Sequence, residues 1–272
     1  MRLKDVLFVG GPERLQSVRV RCVDVAHSLG CEYVTGLGSV KDREASFKAF
    51  FCVKPHHQDL LHLLNLKRPV IWDIIDTAPP LSPFILVYIA STKYVLSLYS
   101  TLKRVEIIPH YHCNISALPA TNATKHPVWI GSAQWRPTGL EFPYTFFDTS
   151  NLTTEAVASL YRNCGLVLNI RRFESTATIE HIKLNSGIKL INCIGFGIPS
   201  VSDPEPAYLE IGSACSLFGG PQTYKALIDQ LQSNDALYNK LRDNCLAVAA
   251  HFSKAAILAK YCRLIDSIRL PI

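Results

Sequence analysis

The chain has 272 residues, 48% of them apolar, with 28 Lys and Arg against 22 Asp and Glu, a net charge of +6. That length suits two domains of about 120–140 residues each, and the apolar content is ample for packed cores. The longest apolar run, Phe84 to Ala90, falls far short of the ~20 residues of a membrane span, so no integral membrane segment is expected. The basic excess is spread along the chain. It fits a phosphate-bearing ligand, an anionic membrane surface or nucleic acid, without choosing among them. The start, Met-Arg-Leu-Lys-Asp, enters a strand-like run without the apolar region of a signal peptide, and a cytoplasmic location is expected. Nine cysteines are scattered with no Cys-x-x-Cys spacing and read as reduced core thiols.

Asp5 to Val9 reads as a short buried strand ending in Gly10-Gly11. The helix after it carries Val18, Cys22, Val25 and Leu29 on one face, with Arg19, Arg21 and Asp24 off that face. Strands are expected at Glu32 to Thr35, Phe47 to Val53 and Val70 to Ile75, and a leucine-spaced helix at His57 to Leu66. Pro83 to Ala90 reads as helical by position. Tyr94 to Leu98 and Val105 to Ile108 read as the strands that complete the sheet. Continuous Val/Ile/Phe runs separated by helices are the pattern of a parallel sheet covered on both faces.

Residues 109 to 127 change character, being rich in Pro, Asn, Ser, Thr and Ala. The expected division is therefore a first domain over residues 1–110, a linker over 111–127 and a second domain over 128–272. The alternation restarts with Val128 to Ile130 and Gly131. A strand is expected at Tyr144 to Phe147, a helix at Thr154 to Asn163 and a strand at Leu166 to Ile170. Strands near Val201 and at Ala214 to Phe218 follow. Three helices close the chain, near Thr223–Gln232, Ala236–Phe252 and Ala255–Ile268. The last is expected to cross back onto the first domain.

The most informative stretch is Lys189-Leu-Ile-Asn-Cys-Ile-Gly-Phe-Gly-Ile-Pro199. It reads as a helix closed by Gly197 in the left-handed conformation, blocked by Pro199 and running straight into a strand. It resembles the K-L-x-E-x-x-x-x-G-x-P element of GT-B glycosyltransferases. Lys189, Leu190, Gly197 and Pro199 match; Asn192 stands where the family has Glu. Val105-Glu-Ile-Ile-Pro-His110 is similar to the run that leads from the family's first domain into its linker. The resemblance implies an α/β fold of two Rossmann-like, doubly wound parallel-sheet domains facing a cleft.

It also implies roles. Lys189 would contact the donor phosphates and Asn192 the ribose. Arg171 and Arg172, at a strand end, suit a diphosphate because guanidinium forks match phosphate oxygens. Gly131, Arg136 and Glu210 join the donor side, with Glu205 a second candidate for the missing carboxylate. Gly10, Gly11 and Arg19 border the acceptor. Asp76, last in Trp72-Asp-Ile-Ile-Asp76, is placed to act as base towards an acceptor hydroxyl, with His110 as the other candidate. His110-x-His112 has metal-ligand spacing but lacks a third ligand nearby, and no metal or cofactor is expected.

The function expected is transfer of a sugar, a hexose from a UDP-type donor, to a hydroxyl of a glycan precursor, a small metabolite or a modified DNA base. Asn192 in place of Glu keeps open a non-catalytic nucleotide-sugar-binding protein.

Overall fold

The computed structural model describes residues 2–12, 15–76, 78–120, 124–171 and 182–268. They form two units, Met1–Pro109 with Ile257–Ile272, and His110–Ala256.

The first unit is built on a parallel sheet in the order β2-β1-β3-β4-β5-β6. Its strands are β1 Val6–Gly10, β2 Glu32–Val34, β3 Ala49–Val53, β4 Val70–Ile74, β5 Ile85–Ala90 and β6 Val105–Ile107. Every residue of β1, β3 and β4 is buried, as expected of strands covered on both faces. Phe8 stacks on Phe51 at 4.5 Å, and Phe51 meets Tyr261 of the closing helix Lys254–Ser267 edge-on at 5.6 Å.

Two expectations are reversed. Ile85–Ala90 is a strand, not a helix, and pairs with β4 along its length. Lys93–Leu98 is a helix, not a strand: Thr92 caps it, the hydroxyl accepting from the Val95 amide at 3.1 Å. Runs of six residues hold too few periods to separate the two conformations, so the cap and the neighbouring strand decide.

Arg21 is a third correction. The helix after β1 holds a wide π turn, Arg19–Val23, between Gln16–Val18 and Asp24–Leu29. The wider turn rotates the apolar face, and Arg21 points inward at 1% exposure. Its Nε donates to Asp73 Oδ2 at 2.5 Å and its Nη1 to the Ile108 carbonyl at 2.8 Å. Burial pushes the Asp73 carboxyl up while the Arg21 guanidinium pulls it down. The guanidinium cannot give up its proton, so its charge requires the carboxylate beside it.

The second unit holds a parallel sheet in the order β11-β10-β9-β7-β8. Its strands are β7 Pro127–Gly131, β8 Thr145–Asp148, β9 Leu166–Asn169, β10 Ser200–Ser202 and β11 Ser216–Phe218. The helix Ile188–Phe196 ends at Gly197 with φ +66°, and seven of its residues are buried, which makes it the centre of this core. Phe196 stacks on Tyr161 of the helix Thr154–Arg162 at 5.9 Å.

The stretch that reads as a linker is tied into this unit from His110 onward. His110, Tyr111, His112, Cys113 and Asn114 are all buried. Cys113 N–H donates to Asn192 Oδ1 at 2.9 Å, Asn114 Nδ2 to the Gly195 carbonyl at 2.6 Å and Ala120 N–H to the Phe196 carbonyl at 2.8 Å. Its polar composition serves these backbone contacts.

The helices Tyr224–Ser233, Asp235–Ala249 and Lys254–Ser267 close the chain. The stretch Asp235–Ser267 is long and apolar enough to cross a membrane by length and composition alone, with mean hydropathy 1.2 over its best window. This differs from the reading of the sequence, which considered only uninterrupted apolar runs. Ser253, at φ −65° and ψ 151°, interrupts the stretch. Tyr238, Leu241, Cys245, Ile257, Tyr261, Leu264 and Ile265 are its buried residues.

The Arg21–Asp73 pair gives the first test. Asp73→Ala strands a buried guanidinium and should lower unfolding free energy by about 3–5 kcal/mol in urea at neutral pH. Arg21→Met combined with Asp73→Leu should recover most of that. A loss under ~1 kcal/mol in Asp73→Ala would show the pair to be dispensable.

Candidate functional site

In the second sheet β7 lies between β8 and β9. The chain leaves β7 to one side first and to the other side next. The crevice outside the carboxyl ends of such strands is where open α/β sheets bind ligands. Gly131 is the last residue of β7, Arg171 lies two residues past β9, and the helix Ile188–Phe196 begins behind Gly187.

These elements converge on Lys189. Its Nζ sits 3.7 Å from the centre of the Trp129 ring, and Trp129 is itself fixed by donating from Nε1 to the Ile170 carbonyl at 2.7 Å. A Cβ on Gly131 would lie 2.7 Å from Lys189 Nζ and 2.8 Å from the Trp129 ring, so only glycine allows this approach. The Lys189 stem is half-exposed, but the nitrogen is buried and has no hydrogen-bond partner among the described residues.

Around it the charges are already matched. Arg171 Nε lies 2.8 Å from Glu205 Oε1, and the Arg171 amide donates to Asp203 Oδ2 at 2.7 Å. Asn185 Nδ2 donates to the other Glu205 oxygen, and the Tyr224 hydroxyl to Asp203 Oδ1. Burial holds the Lys189 amine well below the ordinary lysine range; Arg171 adds to this, and Glu205, Cys193 and Asp203 oppose it. The Trp129 ring also favours the charged form. A cation–π contact supplies ~0.5–2 kcal/mol, whereas desolvating an ion costs several kcal/mol, so burial wins. Burial raises the Asp203 carboxyl to about 7 against the hydrogen bonds from Tyr224 and Arg171. It raises the Glu205 carboxyl too, against Arg171 and Asn185. With the charged form of Lys189 disfavoured and Arg171 paired, the described residues of the resting crevice carry little excess positive charge.

Gly131, Arg171 and Lys189 thus come together, and Glu205, rather than the exposed Glu210, is the carboxylate beside them. Asn192 is buried and its side-chain oxygen is taken by the Cys113 amide. Arg136 is exposed, its guanidinium 4.7 Å from the Phe146 ring and its Nε donating to the Tyr144 hydroxyl at 3.0 Å. Arg172 lies outside the described residues. His110 is 1% exposed and both of its ring nitrogens are buried, so it offers no proton acceptor at a surface.

In the first unit Gly10 ends β1 and Gly11 follows it, with Arg19 on the next helix. Asp76 lies two residues past β4, where its Oδ2 receives the Lys54 ammonium. Lys54 also donates to Ser17 Oγ at 3.0 Å. Lys54 and Asp76 have φ of +47° and +55°, a left-handed conformation that costs a non-glycine residue about 1–3 kcal/mol and persists where surrounding structure imposes it. Sequence reasoning missed Lys54 and Trp129. The only signal for Lys54 was a lysine before Pro55 at the end of a buried strand.

No family model and no curated protein matches the chain. Solved structures do. HepE from Anabaena, crystallised with UDP and glucose, superimposes with a TM-score of 0.65 at 11% identity over 97% of this chain and 100% of that one. WaaG, a glycosyltransferase of lipopolysaccharide biosynthesis, gives 0.53 at 12% identity over 97% and 100%. The glycosyltransferase SsfS6 from Streptomyces gives 0.52 at 12% identity over 96% and 99%. The chain has the GT-B glycosyltransferase fold. The GT-B fold agrees with two doubly wound parallel sheets read from the sequence.

Asp203 gives a pH test. Its carboxyl is raised from 3.8 to about 7, so over that interval the folded chain holds a proton that the unfolded chain has lost. The stability this contributes is complete below the unfolded value and is lost as pH rises through about 7. Asp203→Asn should therefore flatten the decline in unfolding free energy between about pH 4 and 7, measured by urea titration at several pH values. An unchanged slope would show that Asp203 ionises normally.

Proposed function

We propose that the chain is a glycosyltransferase that moves a sugar from a nucleoside-diphosphate-sugar donor to an acceptor hydroxyl. The observation that carries this reading is Lys189: a lysine nitrogen buried at the end of β7 with no hydrogen-bond partner among the described residues, beside Arg171. A group placed so is short of an anion. The helix Ile188–Phe196 turns its amino end, with its orphan amides and positive dipole, to the same place. HepE, of the same fold, is crystallised with UDP-glucose, which makes UDP-hexoses the first donors to test.

In the reaction the acceptor oxygen bonds to the anomeric carbon as that carbon's bond to the diphosphate breaks. The nucleoside diphosphate leaves with the electron pair. Lys189, Arg171 and the helix amides supply positive charge to it, which is the reason for proposing transfer without a metal. The acceptor proton passes to Asp76, whose Oδ2 receives the Lys54 ammonium. A non-catalytic nucleotide-sugar-binding protein is the second reading. It is favoured by Asn192, which replaces the family Glu and is engaged with Cys113.

A panel of nucleotide sugars, with and without glycan-precursor, metabolite and modified-DNA acceptors, tests the proposal by release of nucleoside diphosphate. Binding without release in any pairing would favour the second reading; neither binding nor release would end both. Lys189→Met should weaken donor binding about 10–100-fold, the loss of one charged contact. Asp76→Asn should leave donor affinity intact and lower turnover about 10²–10⁴-fold. Full turnover in Asp76→Asn would remove it as the base.

A further inference from the structure

We propose that filling the Lys189 crevice with the diphosphate of a donor is coupled to the uptake of about one proton, taken by the Lys189 amine. The inference rests on the donor reading above and adds a regulation of that same site by pH.

Charges buried together away from solvent must balance. The Lys189 nitrogen is buried over the Trp129 ring, and no described residue accepts a hydrogen bond from it. An ammonium has three N–H groups to satisfy, and here it would satisfy none. Arg171 is engaged by Glu205 and Asp203. Among the described residues, the groups that face Lys189 are Arg171 beyond β9, Asp203 and Glu205 beyond β10, and Cys193 one turn along its own helix. Trp129 and Gly131 on β7 do not titrate. With the charged form of Lys189 disfavoured, these described residues carry little positive charge to receive two phosphate charges. The cheapest source is a proton on the Lys189 nitrogen, which has no hydrogen-bond partner among the described residues. A phosphate oxygen then gives the ammonium an acceptor that the described residues do not supply, and the amine, depressed in the free protein, returns towards its ordinary basicity.

The sign follows. Between the depressed value in the free protein and the higher value in the complex, the complex holds one more proton. Donor affinity therefore falls as pH rises through that window, by up to about tenfold per pH unit. A nucleotide sugar is the right probe because its diphosphate is esterified at both ends and keeps its charge near neutrality. A free nucleoside diphosphate ends in a phosphate that itself titrates there.

The experiment is calorimetry of the full chain with UDP-glucose, or with whichever donor the panel shows to bind. It is run between about pH 6.5 and 8.5 in buffers of differing ionisation enthalpy. The dependence of observed heat on buffer reports protons taken up, expected to approach one per donor. Lys189→Arg carries a permanent charge, so it should bind with no uptake. Lys189→Met should bind more weakly, also without uptake.

Donor binding by the unaltered chain with no uptake at any pH would overturn the proposal. So would full uptake persisting in both Lys189 variants. Uptake that survives Lys189→Met but disappears in Glu205→Gln would assign the proton to a carboxylate freed from Arg171, and again defeat the assignment to Lys189. If no nucleotide sugar binds, the donor reading fails and this inference fails with it. That result is distinct from binding without protons.

Discussion

A charge buried beside a sheet must be matched, and most of what is specific in this molecule follows from how that demand is met. In the first unit it is met by a buried partner of opposite charge. Arg21 is brought inward by a π turn and finds Asp73 in the middle of β4 and the carbonyl that follows β6. One side chain thus ties the first helix to β4 and to the end of β6. In the second unit the demand is met for Arg171 and left unmet for Lys189. The first arrangement is what a fold needs. The second is what a binding site needs, because an amine with no partner inside the protein gains most from an anion outside it.

The two sheets use their strand ends in parallel ways. Each has a glycine at the carboxyl end of its first strand, and each has a lysine close to a switch in strand order. At Gly131 the missing side chain is the space that Lys189 and Trp129 occupy. At Lys54 and Asp76 the backbone is left-handed at two non-glycine positions whose side chains then meet. Strain at two adjacent strand ends, joined by an ion pair, marks that edge as more than a connection. The loop after β10 differs again: Asp203 and Glu205 turn back on the strand end and hold Arg171.

Much of this architecture was legible in the sequence. The runs Val6–Gly10, Ala49–Val53 and Val70–Ile74 are continuously apolar because parallel strands are covered on both faces, and that alone implies the sheet. Gly197 and Pro199 mark the end of the central helix because few residues besides glycine accept the left-handed turn and proline cannot continue a helix. Lys189 and Arg171 stood out as basic residues at strand and helix ends, where charge without an anion is unfavourable. Short elements were less legible. Ile85–Ala90 and Lys93–Leu98 exchanged identities because a cap and a neighbouring strand, not periodicity, settle six residues.

The sequence by itself determined the class of fold, the order of most strands and the basic residues at their ends, since these depend on local pattern and backbone stereochemistry. Tertiary structure alone decided which charges are paired. Arg21 and Asp73 are 52 positions apart, Asn192 meets Cys113 across 79, and Trp129 reaches Ile170 across 41. No local rule links residues so far apart. Whether a lysine is solvated, paired or left over a ring with no acceptor depends on what the rest of the chain packs around it.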